Sequence, residues 1–109
     1  MLVIGNAPLT IEDVVRVARG RERVGISPEA VKRMEKSRVW VDNILESEEP
    51  VYGINTGFGE LSKIFIPREQ RESLQRNLIL SHCTGVGERL AEDVCRAVVL
   101  LRIASLAAG

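Results

Sequence analysis

The sequence predicts a mainly α-helical domain in which four helices are joined by two glycine-rich loops. Helix start signals precede several runs whose apolar residues recur three and four positions apart, and glycines cluster in two segments between such runs. The 109 residues fall below the length of about 150 residues typical of one domain, so a single domain over 1–109 is predicted. A hydrophobic content of 45% excludes a disordered chain.

The first helix is predicted to begin after Thr10, whose hydroxyl can cap it, with Glu12 and Asp13 at the positive end of the helix dipole. Gly20 provides the signal that ends it. Apolar residues recur at helical spacing: Ile11, Val14, Val15 and Ala18.

The second helix is predicted from Pro28 to about Leu45, because Ser27 can cap it and Pro28 fits the first turn. The acids of residues 46–49 oppose the dipole at the helix C-terminus, and Pro50 blocks continuation. One face carries Val31, Met34, Val41 and Leu45, with the aliphatic stem of Arg38 between them.

Two further helices follow. Pro67 opens the third, with Leu74, Leu78 and Ile79 as its predicted buried stripe, and Leu90 begins the fourth. The predicted face of the fourth helix comprises Val94, Ala97, Val98, Leu101 and Ala104. From Ala97 onward this helix is apolar almost all round, which is typical of a helix surrounded by protein. We therefore expect the chain to be a fragment of something larger.

Two segments show no clean periodicity and are predicted as loops. Residues 51–66 hold three glycines and three of the four aromatic residues, and residues 62–66 fit either a short strand or an extended arm. Residues 81–87 form a second glycine-bounded turn. Gly57-Phe58-Gly59 and Gly85-Val86-Gly87 each carry half of a dinucleotide fingerprint, but without a third glycine or a β-α-β unit we predict no phosphate binding.

Composition excludes several classes of function. The 15 basic and 15 acidic residues balance, so neither a nucleic-acid partner nor a polybasic membrane contact is expected. Cys83 and Cys95 are too few for a disulfide scaffold. Nothing resembles a signal peptide, and the apolar stretch 97–109 is shorter than the roughly 20 residues of a membrane span, so a cytoplasmic location is expected.

Tyr52 and His82 are the candidate functional residues. A lone histidine at a helix end is typically structural, and without a cluster of ligands at suitable spacing no metal site is predicted. A tyrosine is commonly a half-buried packing residue, but glycine-rich loops on helical scaffolds often carry function. A phenol on such a loop can act as a general base when its neighbours favour the phenolate form.

The two loops resemble those of the aromatic amino acid ammonia-lyases. The resemblance rests on YGINTGFG at residues 52–59 and NLILSHCTGVGE at residues 77–88, and it extends from PLTIEDVV (8–15) to LLRIASLAAG (100–109). The histidine-specific branch of the family is the most similar, since Ser81-His82 is its typical pair. Tyrosine lyases tend to have His-Leu there, and phenylalanine lyases Phe-Leu.

The resemblance implies an N-terminal helical domain of the fumarase/aspartase-like superfamily, in a homotetrameric lyase that converts an amino acid substrate, histidine, to urocanate and ammonia. It implies that Tyr52 is a catalytic acid/base and that His82 and Ser81 contact the substrate. The residues implied to shape the Tyr52 loop are Gly53, Asn55, Thr56, Gly57 and Gly59.

Family members use an electrophilic 4-methylidene-imidazol-5-one group, MIO, which forms from an internal Ala-Ser-Gly. This triplet is absent here, because Ala104-Ser105 is followed by Leu106. The resemblance therefore implies a chain that stops before the electrophile and the central helical bundle, and that is inactive alone. The alternatives left open are a tyrosine or phenylalanine lyase, an aminomutase, and a helical assembly module without catalysis.

Overall fold

The computed structural model describes residues 1–47 and 49–109. These residues form four α-helices and two short strands, which confirms the predicted mainly α-helical fold. In chain order the elements are β1 (Leu2–Ile4), α1 (Ile11–Ala18), β2 (Val24–Ile26), α2 (Pro28–Glu46), α3 (Arg68–His82) and α4 (Glu92–Leu106), with one turn of 3-10 helix at Gly59–Leu61. Glu48, one of the acids predicted to follow α2, lies outside the described residues.

The chain divides into two compact units. The first, here called the terminal unit, comprises Met1–Arg38 and Glu88–Gly109, and the second, the loop unit, comprises Val39–Gly87. Helix α2 contributes residues to both. That the 109 residues make up a single domain stays a prediction.

The terminal unit contains a two-stranded parallel sheet that the sequence analysis did not predict. Strand β1 pairs with β2 so that Leu2 lies opposite Val24 and Ile4 lies opposite Ile26. Strands of three residues are too short to display an alternating pattern, so periodicity gives no signal for them. The core beside the sheet consists of Ile4, Val17, Ala30, Leu100 and Ala107.

The predicted N-terminal caps of α1 and α2 are confirmed. The Thr10 hydroxyl accepts a hydrogen bond from the Asp13 backbone N–H (3.2 Å), and an Asp13 carboxylate oxygen accepts one from the Thr10 N–H (3.0 Å). The Ser27 hydroxyl accepts from the Ala30 N–H at 3.1 Å. Each cap satisfies a backbone donor that has no partner within its helix.

Two arginines of the terminal unit bind the C-terminal ends of helices other than their own. Arg96 of α4 donates from Nε and Nη2 to the Val17 carbonyl near the end of α1, both at 3.2 Å. Arg33 of α2 donates from Nε to the Ala108 carbonyl just after α4, also at 3.2 Å. Positive charge at these helix ends is favourable, and the last carbonyls lack partners within the helix.

Several residues predicted to be buried are exposed, and α4 begins later than predicted. Ile79, from the predicted buried stripe of α3, is 68% exposed, and Ile11, one of the apolar residues at helical spacing in α1, is 79% exposed. Helix α4 begins at Glu92, not Leu90, and its buried residue is Leu100, which was not on the predicted face. The predicted face members Val94, Val98 and Leu101 are exposed. Helical spacing alone does not determine which apolar face a short helix turns toward its neighbours.

Helix α4 presents a large apolar surface, as its sequence predicted. Four of its large apolar side chains are more than half exposed: Val98, Val99, Leu101 and Leu106. Among the residues that the structure describes, no helix combines the length and the apolar character needed to cross a bilayer.

Candidate functional site

Tyr52 lies in the turn that follows Val51, and its side chain is 63% exposed. Its ring meets that of Phe58 edge to face, with centroids 6.0 Å apart and an interplanar angle of 73°. This geometry is favourable for an aromatic pair and holds the ring from one side. The Tyr52 side chain is therefore supported by its own loop and remains accessible.

Asn55 anchors the loop from within. Its side chain is completely buried, its Oδ1 accepts from the Val51 N–H at 2.7 Å, and its Nδ2 donates to the Glu49 carbonyl at 2.8 Å. The amide thus satisfies one donor and one acceptor of the backbone that leads into Tyr52. A buried amide with both ends bonded fixes the conformation of the segment around it.

Thr56 and the glycines complete the loop. The buried Thr56 hydroxyl accepts from the Gly53 N–H at 3.3 Å and donates to the Gly57 carbonyl at 3.0 Å. Gly53 and Gly59 have positive φ angles, +76° and +58°. A Cβ at Gly57 would lie 2.6 Å from the Leu61 Cβ, so only glycine fits there. The five residues that the family resemblance implies to shape the loop all lie within it, and their role in a functional site stays a prediction.

Residues 64–66, here called the return arm, pair with the loop. The Ile66 N–H donates to the Asn55 carbonyl at 2.8 Å, and the Gly57 N–H donates to the Ile64 carbonyl at 3.0 Å. Between these bonds Thr56 and Phe65 form an isolated antiparallel bridge. Of the two forms predicted for residues 62–66, the structure shows an extended arm over 64–66.

Arg71, in the first half of α3, holds the return arm. Its Nε donates to the Ile66 carbonyl at 3.1 Å and its Nη1 to the Leu45 carbonyl, near the end of α2, at 2.7 Å. Its guanidinium carbon lies 5.5 Å from the centroid of the Phe65 ring, within range of a cation–π contact. Arg71 could not be identified from the sequence, since nothing local distinguishes it from the other arginines of α3.

Ser81 and His82 lie together at the C-terminal end of α3, and both are exposed. The Leu78 carbonyl oxygen lies 2.8 Å from the Ser81 hydroxyl and 2.9 Å from His82 Nδ1, and the hydroxyl lies 2.9 Å from Nδ1. A carbonyl oxygen only accepts, so Nδ1 carries the proton that bonds to it. In the neutral ring, Nε2 is then a hydrogen-bond acceptor.

The structure thus brings the predicted residues together in two groups within the loop unit. Tyr52 belongs to the group built by Asn55 and Thr56, while Ser81 and His82 form the other. Among the contacts of the described residues, no hydrogen bond joins Tyr52 to His82. The described residues also contain no cluster of three or more side chains suited to a metal ion.

The shifted carboxyl groups belong to the terminal unit. The pKa of Asp13 is lowered first by a hydrogen bond from the Thr10 backbone N–H, then by one from the Thr10 hydroxyl, and also by the charge of Arg16. Burial acts in the opposite direction and raises this pKa. A hydrogen bond from the N-terminal amine lowers the pKa of Glu22. An open apolar cavity of about 290 Å³ also lies in this unit, between Val17, Val24 and α4. None of these features includes Tyr52 or His82.

Comparison with known proteins identifies the family. Residues 9–109 match the family model described as "Aromatic amino acid lyase". Over 108 residues the chain is 50% identical to a histidine ammonia-lyase of Treponema denticola, covering 99% of this chain and 21% of that relative. The chain thus spans about a fifth of the length of the curated relatives it matches.

Two solved structures show the same fold. A tyrosine aminomutase from Streptomyces globisporus matches 99% of this chain and 20% of its own, with 38% identity and a TM-score of 0.91. A histidine ammonia-lyase from Trypanosoma cruzi matches 97% of this chain and 21% of its own, with 36% identity and a TM-score of 0.85. By its family match and by these relatives, the chain belongs to the aromatic amino acid lyase family.

Proposed function

We propose that this chain supplies part of the active site of an ammonia-lyase that converts histidine to urocanate and ammonia. The observation that carries the proposal is the construction of the loop: Tyr52 is exposed, while Asn55 and Thr56 of the same loop are buried and hydrogen-bonded to its backbone. The 50% identity to a histidine ammonia-lyase supports the choice of reaction and substrate.

Tyr52 is the proposed acid/base. Conversion of histidine to urocanate removes the amino group from Cα and a proton from Cβ, so the reaction requires a base near Cβ. A loop-held phenol can accept that proton as phenolate, and a positioned base of this kind contributes typically about 10²- to 10⁴-fold in rate. The edge contact with Phe58 leaves the phenol able to approach a substrate.

His82 is the proposed contact for the substrate side chain, and Ser81 is its partner. The Leu78 carbonyl and the Ser81 hydroxyl hold Nδ1 as the donor, so Nε2 of the neutral ring can accept from an N–H group. The imidazole of histidine offers such a donor, whereas the ring of phenylalanine does not. This pairing favours histidine over an aromatic hydrocarbon side chain.

The electrophile is not formed by these residues. Ser105 lies within α4 in the triplet Ala104-Ser105-Leu106, which is not the Ala-Ser-Gly that the family uses. We therefore propose that MIO, which supplies an electrophile when present, forms from residues other than these 109. The proposed function also includes the homotetrameric assembly that the family resemblance implies and the cytoplasmic location expected from the sequence.

A second candidate function is that of an aminomutase, which the 38% identity to a tyrosine aminomutase favours. The two reactions differ in their products. A lyase releases ammonia and an unsaturated acid, whereas an aminomutase returns the amino group to the neighbouring carbon and yields a β-amino acid.

The test is to identify products formed by the full-length protein that carries this segment. Histidine, tyrosine and phenylalanine are supplied separately, and products are separated by chromatography while free ammonia is measured. We expect urocanate and an equal amount of ammonia from histidine, and no urocanate from the 109-residue chain alone. A β-amino acid as the main product would favour the aminomutase, and no product from any of the three would contradict both candidates.

A further inference from the structure

Arg71 connects three parts of the loop unit through one guanidinium group. It lies on α3, it donates to the Leu45 carbonyl at the end of α2, and it donates to the Ile66 carbonyl on the return arm. Its side chain is partly buried, and its guanidinium carbon lies over the Phe65 ring, 5.5 Å from the centroid. A planar group with several fixed donors suits this arrangement, which an ammonium group cannot reproduce.

The return arm transmits this constraint to the Tyr52 loop. The Ile66 N–H bonds to the Asn55 carbonyl at 2.8 Å, and the Asn55 side chain in turn holds the Val51 N–H, one residue before Tyr52. The bridge between Phe65 and Thr56 runs beside this path. The path from Arg71 to the Tyr52 backbone thus runs through Ile66, Asn55 and Val51, and none of these contacts involves the phenol.

From these contacts we infer that Arg71 is a positioning residue for Tyr52, fixing the return arm so that the loop holds the phenol where it takes the substrate proton. The inference rests on the function proposed above. A displacement of about 1 Å caused by a substitution away from the reacting atoms can cost about 10²-fold in rate. Loss of the two carbonyl contacts is therefore expected to lower turnover without removing a contact to the substrate.

The test compares variants of the full-length protein. We expect Arg71→Ala to lower kcat by about 10- to 100-fold with KM changed little, because the lost interaction serves the transition state. Arg71→Lys keeps the charge but cannot bond both carbonyls in the same geometry, so its kcat is expected to be intermediate. Arg68→Ala is the matched control, since Arg68 is on the same helix and its contact among the described residues is an exposed ion pair with Glu46 at 3.5 Å.

A double variant shows whether Arg71 acts through Tyr52. In a Tyr52→Phe background, Arg71→Ala is expected to lower kcat further by less than about twofold, because the group it positions is already absent. An undiminished further loss in that background would overturn the inference, as would wild-type kcat in a folded Arg71→Ala or Arg71→Lys variant.

Folding is followed in parallel by the thermal midpoint of each variant. If Arg71→Ala does not fold, Arg71→Lys decides, and failure of both to fold would overturn the inference by showing a general structural role. Failure of the proposed function has a different signature, namely a Tyr52→Phe variant with unchanged turnover.

Discussion

Tyr52 and Asn55 lie three residues apart in one loop and have opposite exposures. The tyrosine side chain is 63% exposed, while the asparagine side chain is completely buried and bonded at both ends of its amide. Burial of a polar group is costly unless its hydrogen bonds are satisfied. The buried Asn55 thus fixes the loop backbone, while Tyr52 remains exposed.

Asn55→Ala is expected to destabilise the 109-residue chain. It removes the partners of the Val51 N–H and the Glu49 carbonyl, and each unsatisfied, partly buried group costs up to about 1–3 kcal/mol. Denaturant unfolding measures the loss in free energy of unfolding. Asn77→Ala, at an exposed position on α3, is the control, and an equal effect of both substitutions would contradict the anchoring role.

The fold could be predicted from the sequence where its causes are local. Thr10 and Ser27 cap the helices that their positions predict, because a cap depends on residues only three positions apart. The glycines of the loop could likewise be recognised from the sequence. The pairing of β1 with β2 could not be predicted, since it joins segments about 20 residues apart that are too short to show a period.

In the candidate site, too, residues in local sequence motifs could be predicted, whereas residues placed by packing between distant segments could not. Tyr52 and His82 could be selected as candidates because they lie in two recognisable motifs, and their roles stay predictions. Arg71 was missed because its partners, Leu45 and Ile66, are set by the packing of α3 and the return arm, and no spacing along the chain encodes them. Likewise, the inward position of Leu100 on α4 depends on where the neighbouring elements lie.

The Thr10–Asp13 capping box is expected to make stability depend on acid pH. Because the pKa of Asp13 is lowered in the folded chain, its ionised form stabilises the fold fully above its ordinary value of about 3.9. This contribution is lost as the pH falls from there through the lowered folded-state pKa. The free energy of unfolding should therefore be larger for wild type than for Asp13→Asn near neutral pH, and the two values should converge in acid.

Thr10→Ser retains the hydroxyl of the cap and is the control for that pH series, with the wild-type profile expected. A difference between wild type and Asp13→Asn that stays constant from neutral pH to acid would show that the ionised carboxylate does not stabilise the fold.

His82→Leu in the full-length protein is expected to weaken the use of histidine and to improve relative use of phenylalanine, because it replaces a polar contact with an apolar one. A site that loses a hydrogen bond to its substrate loses discrimination for it. The measurement is the ratio of kcat/KM for the two substrates. Cys83→Ser changes the adjacent exposed side chain to one of similar size and is the control, for which the ratio should not change. An unchanged ratio in His82→Leu would show that His82 does not take part in substrate recognition.

The exposed apolar face of α4 is expected to make the 109-residue chain self-associate. Val98, Val99, Leu101 and Leu106 are each more than half exposed, and contiguous apolar patches of this kind favour association. Sedimentation or light scattering over a range of concentrations measures it. Leu101→Lys should reduce association, whereas Val86→Lys, at an isolated exposed position in the second loop, should not. A monodisperse monomer at all concentrations would contradict this expectation.

The most direct test of the account is the turnover of histidine by Tyr52→Phe in the full-length protein. This substitution removes only the hydroxyl and retains the ring that packs against Phe58. Trp40→Phe, at an exposed position on α2, is the matched control and should keep wild-type turnover. If Tyr52 is the base, kcat for urocanate formation falls by about 10²- to 10⁴-fold while the thermal midpoint is unchanged; a folded Tyr52→Phe variant with wild-type kcat would contradict the account.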